Sequence, residues 1–166
     1  MRGMVGPILP WALVLAFLLG AAASAAAQNH RQQLVGRTGH AAIIRVFENG
    51  TFQRCAASNG NAAALLRIAF TRDRAFSISV PATPPLQAPH VLTVFTAAGR
   101  RDLAGAASGD RAWAELDPRT ADALMASTGP LVIQFGRHRY SWDAGMPMRD
   151  IMLALEACTH RALGLR

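Results

Sequence analysis

The chain has 166 residues, with 17 basic residues against 10 acidic ones and a formal net charge of +7. That length holds one domain with a sizeable core and excludes two comfortable ones. All the basic residues are arginine and they are scattered through an alanine-rich chain. This is the signature of a compositional bias in the coding sequence as much as of a surface selected for anionic partners, and it does not point to nucleic acid.

Residues 1–27, "MRGMVGPILPWALVLAFLLGAAASAAA", begin with one basic residue, continue as an apolar stretch and end in small residues. This order predicts a signal peptide, cleaved after Ala25 or Ala27, and a mature start near Gln28. The apolar core is short and fades into alanine, unlike a membrane anchor. Residues 28–166 then form a single exported domain in the periplasm, with no membrane span after cleavage, and His30 falls in a flexible start.

"AAIIRVFENGTFQRCAA" holds Asn49-Gly50 between strand-forming runs, which predicts a two-residue hairpin. The expected register sets Phe47 opposite Phe52, Arg45 opposite Arg54 and Ile44 opposite Cys55. Opposed arginines are unfavourable, so either the register differs or the pair lies on an exposed face, around an anion in the extreme case. A second hairpin is expected in "AALLRIAFTRDRAFSISVPA", turning at Arg72-Asp73-Arg74. There Phe76, Ile78 and Val80 alternate with Ala75, Ser77 and Ser79, the period of a half-buried strand. "PATPPLQAP" is a proline-rich loop, and "HVLTVFTAAG", "RRDLAGAAS" and "DRAWAEL" supply three more strands.

Beyond Leu116 the period changes. Asp117-Pro118 is an N-cap followed by proline at the first helical position, so "RTADALMAST" predicts a short helix stopped by Gly129-Pro130. "LVIQFGRHRYSWD" predicts a hairpin turning near Gly136-Arg137. From Pro147, the positions Met148, Ile151, Met152, Leu155, Cys158 and Ala162 recur at helical spacing and mark one apolar face. The fold class is α+β: a mostly antiparallel sheet or sandwich-like core with one short helix and a C-terminal helix.

The sequence has two cysteines. In an oxidising compartment, cysteines far apart in a small domain form a bridge. The rival uses fail on spacing, since there is no Cys-x-x-Cys redox pair and no cluster of zinc-ligand type. A Cys55–Cys158 disulfide would pin the C-terminal helix to the first hairpin.

The leader, the "FQRCAA" segment, the short hairpins and a terminal helix running through "ALEAC" together resemble a group of small uncharacterised bacterial periplasmic proteins. In layout the chain is also similar to the invasion-associated locus B family, periplasmic β-rich domains without known catalysis. The resemblance covers most of residues 28–166 and implies a non-catalytic envelope protein; as a likeness of layout it assigns no site residues.

No Gly-x-Ser-x-Gly elbow, His-Glu-x-x-His helix, P-loop or dinucleotide fingerprint occurs in the sequence. His40 and His90 fall at strand starts, His160 near a helix C-terminus that favours a cation, and Asp143 in a loop. The richest polar cluster is "GRHRYSWD". Arg137, His138, Arg139 and Tyr140 there form the candidate binding residues, suited to an envelope protein or an anionic envelope component. The alternative is a solvated turn with Tyr140 and Trp142 packed inward. The expected function is a non-enzymatic envelope protein with no cofactor and no metal. A hydrolase assembled from dispersed residues such as His138 and Asp143 is the competing expectation.

Overall fold

A computed structural model describes residues 30–59, 66–82, 90–108 and 110–165 of the chain. The leader assigned to residues 1–27 and most of the proline-rich loop, residues 83–89, lie outside the described residues. The expected α+β class is what the structure has. Ten strands form one antiparallel sheet, bent into a half-barrel, in the order β1-β2-β3-β4-β5-β8-β7-β6-β9-β10. The strands are β1 (His30–Thr38), β2 (Ala41–Glu48), β3 (Thr51–Ser58), β4 (Arg67–Thr71), β5 (Phe76–Pro81), β6 (His90–Thr96), β7 (Gly99–Ser108), β8 (Arg111–Glu115), β9 (Leu131–Phe135) and β10 (His138–Trp142). The helices are α1 (Pro118–Met125) and α2 (Met148–Ala162). Neither is long and apolar enough to cross a membrane.

The first strand corrects the reading of His30 as part of a flexible start. Residues from His30 to Thr38 pair with β2, interrupted by a bulge at Val35, although almost every β1 side chain is exposed. Backbone pairing and the Arg31 guanidinium, 4.5 Å from the Phe47 ring centre, hold this edge strand, so it leaves no hydrophobic alternation in the sequence to find.

The β2–β3 turn is the one expected: Asn49 and Gly50 have φ of 51° and 75°, the paired left-handed residues that let a two-residue loop follow the sheet twist. Phe47 and Phe52 face each other beyond it, with ring centroids 6.0 Å apart in an edge arrangement. Past that pair the register departs from the simple expectation. A bulge leaves Gln53 without a partner on β2, so Val46 pairs with Arg54 and Arg45 pairs with Cys55. The Gln53 carbonyl accepts from the Arg72 amide at 2.8 Å instead. The two arginines are thereby moved off one another. Because side chains alternate with period two, one inserted residue also exchanges the faces of everything beyond it.

One face of the sheet carries the main core. Ile43, Cys55, Ala57, Ile68, Phe70, Ile78, Val80, Ala112 and Ala114 project from successive strands onto this face, and α2 lies against it. Met148, Ile151, Met152, Leu155 and Cys158 of α2 are buried there as the helical spacing predicts. Ala162 is only half-buried. Thr159 is fully buried instead, and its hydroxyl donates to the Phe70 carbonyl at 3.0 Å, satisfying a polar group inside the core.

Helix α1 starts as its sequence dictates. Asp117 accepts from the Thr120 amide at 2.9 Å and from the Thr120 hydroxyl at 2.7 Å, and Pro118 occupies the first turn where no amide partner is needed. A second tie fixes the approach to α2. The His40 amide donates to the Ala144 carbonyl at 2.8 Å, and the His40 ring packs over Gly145, whose φ of +68° and close neighbours leave no room for a Cβ.

Cys55 and Cys158 are bonded, with Cα atoms 6.1 Å apart and a sequence separation of 103. Closing a loop of that length removes about 4–5 kcal/mol of unfolded-state entropy in the chain-entropy description. Two outcomes follow. Cys55→Ser with Cys158→Ser should lower unfolding stability by a few kcal/mol, read from urea denaturation with the unfolding slope compared between the two proteins. Deleting Gln53 removes the bulge and should leave Arg54 opposite Val46 and Cys55 opposite Arg45, so the bridge should still form. Thiol alkylation should then find no free cysteine in the folded fraction, and two alkylatable thiols in that variant would show that the pairing beyond the turn is set by something other than the residue count.

Candidate functional site

The opposite face of the same strands, the open face, carries what the core face excludes. Reading the pairing sideways across β2, β3, β4, β5 and β8 gives three rows of side chains. The first row holds Val46, Arg54 and Thr71. The second holds Ile44, Ala56, Ala69, Ser77 and Glu115. The third holds Ala42, Ser58, Arg67, Ser79 and Trp113, and Arg111 stands beyond it opposite Pro81. Rows are about 7 Å apart, because every second residue of a strand shares a face. The middle row is short over Ala56, Ala69 and Ser77, while its flanks rise as Arg54 on one side and Arg67 and Trp113 on the other. Small residues in the middle row, with Arg54 to one side and Arg67 and Trp113 to the other, leave a trough that runs across the strands. Val46, Ala56 and Ala69 form a small apolar cluster at its floor.

This trough belongs to a cavity of about 640 Å³, with Arg54, Arg67 and Arg111 along its walls and Glu48, Glu115 and Asp110 among its other charged residues. The volume lies inside the ~300–1,000 Å³ usual for small-molecule sites. All three arginines are half-buried, whereas Trp113 is 45% exposed.

The positions of the arginines are specified by hydrogen bonds. The Arg111 guanidinium donates from Nε to Ser79 Oγ at 3.1 Å and from Nη2 to the Ser79 carbonyl at 2.9 Å. Arg54 donates from Nη1 to Glu48 Oε1 at 3.1 Å, an ion pair with both partners partly in solvent. Burial, and next the charge of Arg67, push Arg111 down to about 10, with a smaller contribution from Arg54 in the same direction. Arg67 is lowered by burial and then by the charge of Arg54. Each cation thus lies in the field of the others, in a place where water screens them incompletely. Such an arrangement favours an anion that can be shared between guanidinium groups.

The residues singled out in "GRHRYSWD" are distributed differently. Arg137 lies in the turn between β9 and β10 and is exposed, as are His138 and Arg139. Arg139 sets its guanidinium 4.5 Å from the Phe95 ring centre, and the His138 ring lies 6.4 Å from that of Tyr140. Tyr140 turns inward, packs on the core and donates its hydroxyl to the Pro81 carbonyl at 2.9 Å. Pro81 is the partner of Arg111, so Tyr140 meets the Arg111 end of the trough, and the two groups lie within electrostatic range of each other. The other three do not line it. Trp142 is buried in the core. Asp143 accepts from the Gly145 amide at 2.8 Å, as a loop residue should, and the five-residue extended path from His138 puts it roughly 16 Å away. Among the described residues no group of three or more His, Cys, Asp or Glu is arranged to hold a metal ion.

The trough residues Arg54, Arg67, Arg111 and Trp113 come from three strands, and of these the local sequence marks Arg54 alone, through its expected opposition to Arg45. The available signal is alternation: in β3, β4, β5 and β8 the residues between the core positions are arginine, serine, threonine, alanine, tryptophan and glutamate. No family model, curated protein or solved structure matches this chain.

The lowered pKa of Arg111 has a definite sign in stability. Below pH 10 the folded protein carries a guanidinium that the unfolded chain accommodates more easily, and this disadvantage is constant from about pH 6 to 9. It is relieved as pH rises above about 10, where the folded protein releases the proton before the unfolded chain does. Relative to Arg111→Met, the native protein should gain stability over that upper window and show a flat difference below it. Denaturant titrations at about pH 8 and pH 11 check this, and a difference unchanged between them would refute the assignment.

Proposed function

We propose that this chain is an exported, non-enzymatic envelope protein that works by holding an anionic group of its partner in the open-face trough. The observation that carries the reading is the gathering of three half-buried guanidiniums, those of Arg54, Arg67 and Arg111, around a floor of Ala56 and Ala69. Bringing like charges together in a partly desolvated place costs stability, and a bound anion offsets that cost. The Cys55–Cys158 bridge is compatible with an oxidising compartment and so with export to the periplasm. The likeness in layout to periplasmic β-rich domains, the invasion-associated locus B family among them, supports the same placement.

Citrate is a suitable first probe because its carboxylates can engage more than one guanidinium. It should bind at low ionic strength and weaken as salt rises. Arg54→Gln and Arg111→Gln should each reduce its affinity about tenfold or more, the scale of one lost charge-assisted hydrogen bond. Arg137→Gln with Arg139→Gln should leave it within about twofold, since that turn does not line the trough. Titration calorimetry decides between them. Undiminished citrate binding in the Arg54→Gln, Arg111→Gln double variant would sink the proposal.

A further inference from the structure

The trough offers more than positive charge. Beside Arg67 in the same cross-strand row stand Ser79 and the exposed indole of Trp113, and Ser77 and Glu115 continue the small-residue row on the same side. We infer that the anion held by this trough is carried on a sugar: an acidic pyranose, bearing a carboxylate or a phosphate, whose ring lies on Trp113 while its charged group reaches the arginines. The inference rests on the reading of the trough as an anion site.

Each feature matches one part of such a ligand. A pyranose has an apolar C–H face that an exposed indole can cover, removing apolar surface from water on both partners. Its edge presents hydroxyl groups, which donate to a carboxylate such as Glu115 and exchange hydrogen bonds with Ser77. Its acidic substituent takes a guanidinium fork. The floor of Ala56 and Ala69 lets a flat ring approach the sheet closely, and 640 Å³ accommodates a short oligosaccharide.

The acidic residues decide against two other anions. Glu48, Glu115 and Asp110 share the cavity with the arginines, so a polyphosphate backbone laid along the trough would meet repulsion at its ends. A bare inorganic anion leaves Trp113 and Glu115 without a role. A sugar uses both signs of charge at once: a negative substituent for the arginines and neutral donors for the carboxylate.

The test compares digalacturonate, glucose 6-phosphate, maltose, AMP and sulfate by calorimetry, with Trp113 emission as a second signal. Digalacturonate or glucose 6-phosphate should bind at least tenfold tighter than sulfate and perturb the indole emission. Trp113→Ala should bring that acidic sugar down to the sulfate level and leave sulfate itself unchanged, while Trp113→Phe, which keeps a stacking face, should recover part of the difference. Circular dichroism confirms that both variants fold. If sulfate binds and neither acidic sugar binds tighter, the sugar assignment is overturned and the anion site stands. Tighter binding of AMP than of either sugar, or equal binding of maltose, also overturns it. If neither citrate nor any of these anions binds, the proposed function falls with it.

Discussion

Gln53 has no partner on β2, and its carbonyl is bonded sideways to the start of the next turn. If Gln53 instead took a place in the ladder opposite Val46, Arg54 would lie opposite Arg45 on the face covered by α2, two like charges in the place least able to hold them. Cys55 would point away from Cys158. The bulge resolves both conflicts in one step, turning the thiol inward and the guanidinium outward. It also fixes the phase of the neighbouring strands. With Ala57 in the core, Ala56 must face outward, and through the pairing so must Ala69 and Ser77. The disulfide and the trough are therefore two consequences of a single register.

How much of this was legible depended on how local the determining contacts were. Asn49-Gly50, Asp117-Pro118 and the apolar stripe of α2 act within a few residues, and all three are found where their chemistry puts them. The disulfide followed from arithmetic on two cysteines. The bulge was foreshadowed by the awkward Arg45–Arg54 opposition, which showed that something had to give without showing which residue. The trough was not legible, because β8 lies beside β5 only after β6 and β7 have been laid down farther along the sheet. Arg111 and Arg67 become neighbours through that crossover, and no stretch of sequence contains both. "GRHRYSWD" was conspicuous for the opposite reason: its polar residues are adjacent in sequence, yet a hairpin at the sheet edge spreads them to different surroundings.

The two faces of the sheet divide the physical work. On the core side, buried side chains from nine strands and both helices join in one apolar cluster. On the other side, the same strands carry alanine and serine at the positions that form the trough, residues that contribute little to cross-strand packing. The floor is held flat by what lies behind it. A weakly packed row can persist in the middle of the sheet because Ile68, Ile78 and Ala114, each one position away, are fully buried against the helix side. The shape of the cavity is thus borrowed from the stability of the opposite face.

The 103-residue separation of the two cysteines also governs timing. Synthesis runs from the N-terminus, so the Cys55 thiol is made long before its partner, and the loop to be closed spans most of the domain. Contacts of such long range form late, after the hairpins that need only their own neighbours. During that interval the sequence offers Cys55 no other cysteine, so oxidation cannot be misdirected within the chain. The sole wrong partner is a thiol on another molecule, a reaction that dilution slows and the correct one does not feel. Economy in cysteines makes the late bridge safe from isomers: for this chain, the oxidation problem is one of waiting, with nothing to sort.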